Sequence, residues 1–371
     1  MIRLAWPDVK YEDVKNDFKE IVDSGQLTRG KFVKSFEEGL ARYIGTKFAV
    51  ATTSATTSLH LSLAVLGVKE GDEVLVSDFT HPATGNVVIE VGAKPVLVDI
   101  NPEDFCLDFE DLKKKITSRT KAIIPVHPFG YPVNMEKLML IAREKGLYVI
   151  EDAATAIGAS INGKLCGAWG NLGCFSFHPR KTLTTGEGGL ITTDDKNYAD
   201  AALELRNHGG RLEGKNHVFT FRKAGFNYRM TEMQAALGLS QINRLEQIIV
   251  KLEEFAQVYI EKLRSFSYLD LPKVPTYGKR VFQSFVVTLD PALDRDKIIE
   301  KMAEKGIETT IGTYALHAQA AYESLGYKSG DLKNSFNAFR QTLALPLHNH
   351  LTIKDIEYIV GSLKEAVNEQ R

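Results

Sequence analysis

Between residues 48 and 206 the chain repeats one pattern, a short Val- and Ile-rich run followed by a stretch of helical spacing. The runs are FAVAT (48–52), EVLVS (73–77), KPVLVDI (94–100), AIIPVH (122–127), LYVIED (147–152), GCFSFH (173–178) and GGLITT (188–193). Stretches of helical spacing follow or separate them, at about 54–66, after Pro82, and at 109–116, 135–144 and 199–206. Nearly continuous apolar strands alternating with helices require a parallel sheet covered on both faces. Two amphipathic segments precede the pattern, at 8–22 and 32–44. The pattern ends near residue 207. A long helical stretch, MQAALGLSQINRLEQIIVKLEEFAQVYIEKL, begins after Thr231, and the rest holds one strong strand, FQSFVVTL (282–289), and a final helix at 355–368. The expected fold is α/β. A large domain over 1–245 has a mostly parallel central sheet between helices, and a smaller α+β domain covers 246–371. The boundary lies within the long helix, and the first dozen or so residues pack on the small domain.

Charge points to no macromolecular partner. The chain has 46 Lys and Arg against 47 Asp and Glu, so its balance gives no electrostatic reason to expect nucleic acid or membrane as a partner. Cys106, Cys166 and Cys174 are odd in number and match no zinc or redox spacing, which predicts free thiols and no metal. The opening MIRLAWPDVKYEDVK lacks the apolar core of a signal peptide, and no apolar run reaches spanning length. The expected location is the cytoplasm.

Ligands of open parallel α/β sheets bind beyond the carboxyl ends of the strands, so the residues following each strand carry the functional reading. After FAVAT come Ser54, Ala55 and Thr56, small residues at a helix start where free N–H groups and the helix dipole favour a phosphate. Read alone, Ser54 is equally an ordinary N-cap. After LYVI come Glu151 and Asp152, acids that are costly to bury unless paired. Asp152 suits a cationic ring nitrogen, or a structural ion pair. After GCFSFH comes Lys181, beside Arg180 and the glycine-rich TTGEGG. A desolvated lysine near another cation has a lowered pKa and forms Schiff bases; a lone lysine is more often solvated. Taken together the three strand ends match one ligand, pyridoxal 5'-phosphate, whose phosphate, ring nitrogen and aldehyde need a helix start, a carboxylate and a lysine.

The segments GDEVLVSDFTHPATGN (71–86), KAIIPVHPFG (121–130), VIEDAATAIGA (149–159), GCFSFHPRKTLTTGEGG (173–189) and FNYRMTEMQAALG (226–238) resemble those of the DegT/StrS-type sugar aminotransferases, in order and over nearly the whole chain. The resemblance implies a fold-type-I pyridoxal-phosphate transferase and a homodimer with active sites shared between subunits. It implies that Lys181 carries the cofactor and that Asp152 faces its ring nitrogen. Ala55, Thr56 and Ser176 would hold the phosphate, with Asn227 reaching it from the neighbouring subunit. His81 would lie over the ring where relatives have Phe, Tyr or Trp, and Thr155 would stand near the phenolic oxygen where Gln or His is common. Arg229, Tyr314 and His317 are the candidate acceptor contacts; packed aromatics and a structural ion pair are the plainer readings of the same residues. His127 and His178 read as structural histidines.

The implied reaction moves an amino group from an amino acid, glutamate by resemblance, to a ketone of a nucleotide-linked sugar. Three other readings stand beside it. Related sugar dehydratases carry histidine at the lysine position, which Lys181 argues against. A cyclitol ketone could replace the nucleotide sugar. A non-catalytic, cofactor-binding regulator would keep the fold and damage the chemistry, yet Lys181 and Asp152 are both present.

Overall fold

The computed structural model describes residues 1–213 and 218–370. Its central sheet has seven strands: β1 (Phe48–Thr52), β2 (Glu73–Ser77), β3 (Lys94–Val98), β4 (Thr120–Ile124), β5 (Tyr148–Asp152), β6 (Leu172–Ser176) and β7 (Gly189–Thr193), in the order β1-β7-β6-β5-β4-β2-β3. Strands β3, β2, β4, β5 and β6 pair in parallel. β7 runs antiparallel to both β6 and β1. This is the mostly parallel sheet the alternation predicts, with one reversed strand that its apolar run does not distinguish.

Side chains alternate across a sheet, and here both faces are apolar. Leu75, Ile123 and Val149 enter one core, against the helices Lys31–Ile44 and Met135–Lys145. Val74, Val76, Ala122, Ile124 and Ile150 enter the other, against Ala55–Val65 and Ala83–Glu90. Each of these eight strand side chains is fully buried. Pro125 follows β4, and without an N–H it interrupts the ladder, which resumes as a bridge between Val126 and Asp152.

A third core draws on residues from Ile248 to Val367. It packs the helices Leu245–Leu263, Arg295–Glu304 and Ile353–Asn368 on an antiparallel sheet of Leu269–Asp270, Phe285–Leu289, Thr342–Leu345 and Thr310–Ile311. The N-terminus joins it. Ile2 packs against this core, its N–H donates to the Gly306 carbonyl at 2.7 Å, and the Leu347 N–H donates to the Leu4 carbonyl at 3.1 Å.

The long helical stretch after Thr231 is two helices, Glu232–Ile242 and Leu245–Leu263, which corrects the single helix read from periodicity. Arg244 leaves helical geometry at the break, and its guanidinium pairs with Asp8 at 3.0 Å and with Asp13 at 3.5 Å. A contact more than 200 residues distant in sequence accompanies the break, and no local spacing encodes it. The first helix is held differently. Glu232, almost fully buried, accepts the N–H groups of Gly30 and Phe32 at 2.8 Å, satisfying donors that the start of Lys31–Ile44 would otherwise leave orphaned.

Candidate active site

β1, β5 and β6 point their carboxyl ends to the same edge of the sheet, because they run in the same direction. There they open on a cleft of about 600 Å³ between the sheet and the C-terminal core. Ser54, Ala55, Thr56, His81, Asp152, Thr155, Ser176 and Lys181 all line it, with Leu4, Gln283, Thr310 and Thr313 on the far wall.

Ser54 caps the helix Ala55–Val65. Its hydroxyl accepts the Thr57 N–H at 3.1 Å, and the Thr57 hydroxyl accepts the Ser54 N–H at 3.0 Å. This box consumes the N–H groups of Ser54 and Thr57. Those of Ala55 and Thr56 have no intrahelical acceptor and remain for a ligand. The start of β7 lies hard against this turn: a Cβ on Gly189 would stand 2.2 Å from the Ser54 carbonyl oxygen, so the last glycine of GEGG is a close-packing requirement.

Asp152 is buried at the tip of β5. Its Oδ2 accepts the Thr84 hydroxyl at 2.8 Å and its Oδ1 accepts the Ala154 N–H at 3.2 Å. The single Thr84 hydroxyl proton is committed to Asp152, so in the 3.0 Å contact between Thr84 and Thr80 it is Thr80 that donates. No cation of a described residue lies within ion-pairing distance of this carboxylate. Lys181, half-buried on the turn after β6, likewise has no salt bridge to a described residue. Burial lowers its pKa to about 8; Asp152 opposes the fall and Arg180 adds to it. The amine is therefore partly neutral near physiological pH and able to attack a carbonyl.

The remaining lining groups are more constrained. Thr155 donates its hydroxyl to the His127 carbonyl at 2.7 Å, leaving only lone pairs for a ligand. His81 accepts the Ala83 N–H on Nδ1 at 3.2 Å. Burial pulls its pKa below the usual histidine range; Lys181 and His178 reinforce this and Asp152 resists it. The Ser176 hydroxyl accepts a long 3.4 Å bond from the His178 N–H.

Four predicted residues are not brought to the cleft wall. His317 is buried away from it, with its N–H and Nδ1 both on Asp78, at 2.8 and 2.6 Å. Its Nε2 accepts the Gly330 N–H, which fixes the proton on Nδ1 in the neutral ring. Tyr314 stands at the rim, its ring 6.4 Å from that of His81. Asn227 bridges to Asn207, and Arg229 donates to the Asn207 side chain at 2.9 Å. Arg229 opens instead on a second cleft, of about 690 Å³, together with Arg29, Arg206 and Arg211. His127 is a buried structural histidine, accepting the Val133 N–H on Nδ1 and donating from Nε2 to Glu151. Sequence reasoning missed Thr84, because a threonine inside an ordinary helix start carries no local signal, and it set aside His178, which does line the cleft.

Residues 9–364 match the family model described as the DegT/DnrJ/EryC1/StrS aminotransferase family. The chain is 39% identical over 341 residues to a GDP-perosamine synthase of Caulobacter vibrioides, covering 91% of each chain. It is similar throughout to Spr1654 of Streptococcus pneumoniae, described as a sugar aminotransferase and solved in a PMP form, with a TM-score of 0.95, 26% identity and full coverage of both chains. A PLP form of the same protein superposes with a TM-score of 0.93, at 26% identity and over 99% of each chain. Helicobacter pylori PseC, an aminotransferase involved in the biosynthesis of pseudoaminic acid, matches with a TM-score of 0.92 at 27% identity over 99% of each chain.

Proposed function

The chain belongs to the DegT/DnrJ/EryC1/StrS aminotransferase family, and from that membership we propose that it moves the amino group of glutamate onto a keto group of a nucleotide-linked sugar, using pyridoxal 5'-phosphate. The observation that carries this reading is the placing of Asp152 and Lys181 on one cleft, a buried carboxylate and an amine of lowered pKa, neither in a salt bridge with a described residue. The residues fit the cofactor. The Ala55 and Thr56 N–H groups suit its phosphate, the unmet side of Asp152 suits a protonated ring nitrogen, and Lys181 suits its aldehyde. When bound, the cofactor supplies a carbonyl for the exchanged amine and a ring that accepts an electron pair.

Asp152, oriented by Thr84 and by the Ala154 N–H, holds the ring proton in place by its charge. With the cofactor bound, the Lys181 amine would serve as the base and acid that moves the proton at the donor α-carbon. His81, whose pKa burial lowers, would offer a flat face to the ring and less positive charge than an ordinary histidine. Thr155 offers only acceptor capacity toward the phenolic side. Ser176 adds a hydroxyl near the phosphate. Asn227 and Arg229 lie outside this chain's cleft, which accords with a homodimer in which the partner subunit supplies them, Asn227 to the phosphate and Arg229 to the acceptor. Tyr314 at the rim meets the incoming sugar, and His317 positions that rim through Asp78. The nucleotide-linked acceptor draws support from the name of the Caulobacter relative.

The test is turnover of the cofactor-loaded enzyme with glutamate and nucleotide-linked keto sugars, offered beside a cyclitol ketone. Formation of 2-oxoglutarate in step with an amino sugar is the expected result. Exclusive use of the cyclitol, or no amino transfer to any ketone, overturns the reading.

A further inference from the structure

A second chamber, of about 360 Å³, backs onto the catalytic cleft. Pro128 and Phe129 line both and form the partition between them. The chamber's most unusual resident is Arg280, which is 6% exposed. Its guanidinium lies 4.2 Å from the centre of the Phe282 ring and 5.7 Å from that of Tyr131. Nη1 donates to the Lys273 carbonyl at 2.7 Å. Nε is buried with no hydrogen-bond partner, and no carboxylate of a described residue lies within ion-pairing distance. The edge without an acceptor among the described residues is therefore the Nε–Nη2 side, the fork that grips two oxygens of a planar oxyanion. Burial lowers the pKa of Arg280 to about 10, so it keeps its charge at neutral pH.

A buried charge without a counter-ion is costly, and proteins rarely leave one so. The acids of the chamber are otherwise engaged. Glu103 pairs with Lys273 at 3.4 Å, Asp104 turns back on its own loop to accept the Cys106 N–H at 2.9 Å, and Asp270 is exposed. The neutral side chains of Asn334, Asn337 and Gln341 also line the chamber, with Phe105 and Phe129 as apolar walls. Its size is that of a small-molecule site, and its lining sets polar groups beside the apolar Phe105, Phe129 and Val286. We propose that this chamber binds a small molecule through an oxyanion, a carboxylate or a phosphate, gripped by the free edge of Arg280 and flanked by the Asn337 and Gln341 amides.

Cofactor-loaded protein titrated calorimetrically with succinate, and separately with inorganic phosphate, tests this. The visible band is followed in parallel, because the catalytic cleft also accepts oxyanions and its occupation perturbs that band. Arg280→Met removes the grip at similar volume. Gln341→Glu sets a negative charge in the chamber while keeping Arg280, and it carries the test if the first variant does not fold. The expected result is saturable binding of at least one probe with the band unchanged, weakened by about tenfold or more in each folded variant. The preferred probe tells carboxylate from phosphate. Absence of such binding in the wild type, or equal binding in the variants, overturns the proposal.

Discussion

Glu151 and Asp152 are consecutive residues on β5, both buried, yet their surroundings differ in completeness. Glu151 faces the core side, where Oε1 accepts the Trp169 and Gly170 N–H groups at 2.6 and 2.7 Å, and Oε2 accepts the Gly167 N–H at 2.8 Å and the His127 ring at 3.1 Å. Asp152 faces the cleft with one hydroxyl and one N–H. A carboxylate surrounded by donors holds a structure together. One left short of them, at the end of a strand whose cleft also holds a lysine without a salt bridge to a described residue, is equipped to hold something else. The period of two along a strand separates the two roles by a single residue.

Exchanging each acid for its amide sharpens the comparison. Asp152→Asn should lower amino-transfer turnover by about a hundredfold, since the ring proton loses its counter-charge, with the melting temperature close to wild type. Glu151→Gln should do the reverse, costing about 2 kcal/mol of unfolding free energy as three N–H groups lose a charged acceptor, with the turnover of the folded fraction retained. Denaturant unfolding and steady-state assays read both. Equal destabilisation by the two substitutions would break the distinction.

The lysine opposite gives a pH test. With its pKa lowered to about 8, the attacking neutral amine grows as pH rises. The rate of cofactor capture by the apoprotein should climb about tenfold per unit below that value and level off above it. Stopped-flow absorbance measures this, and a rise continuing to pH 10 would show an amine of ordinary pKa. The smallest expected effect is that of Thr84→Val. Loss of one hydroxyl donor should weaken Asp152 by about 1 kcal/mol, a few-fold in turnover, and Thr84→Ser should restore it. Failure of that rescue would remove Thr84 from the account.

Much of this was legible in the sequence because it is local or periodic. Strands buried on both faces must be written in Val, Ile and Leu, so the runs around Leu75, Ile123 and Val149 announce a covered sheet. That Lys181 and Asp152 would share one cleft was legible because strand ends in such a sheet collect ligands and because their flanking segments resemble a family. What stayed hidden depends on distant partners. The helix break at Arg244 accompanies its pairing with Asp8. The reversal of β7 is set by pairing with β1 and β6, for which its apolar run is no guide. His317 reads as an acceptor contact or a packed aromatic until Asp78 is found against it. Arg280 is one arginine among many until Phe282 and Tyr131 enclose it.

The central claim is that Lys181 and Asp152 frame a pyridoxal-phosphate site. Its most direct test is the visible absorption of apoprotein titrated with pyridoxal phosphate, for the wild type and for Lys181→Ala, followed by addition of glutamate. The account predicts a saturating visible band in the wild type that glutamate discharges, and in the variant no protein-linked band and turnover lower by about a thousandfold or more. A wild-type band that the variant reproduces, or folded wild-type protein with no band, would contradict it.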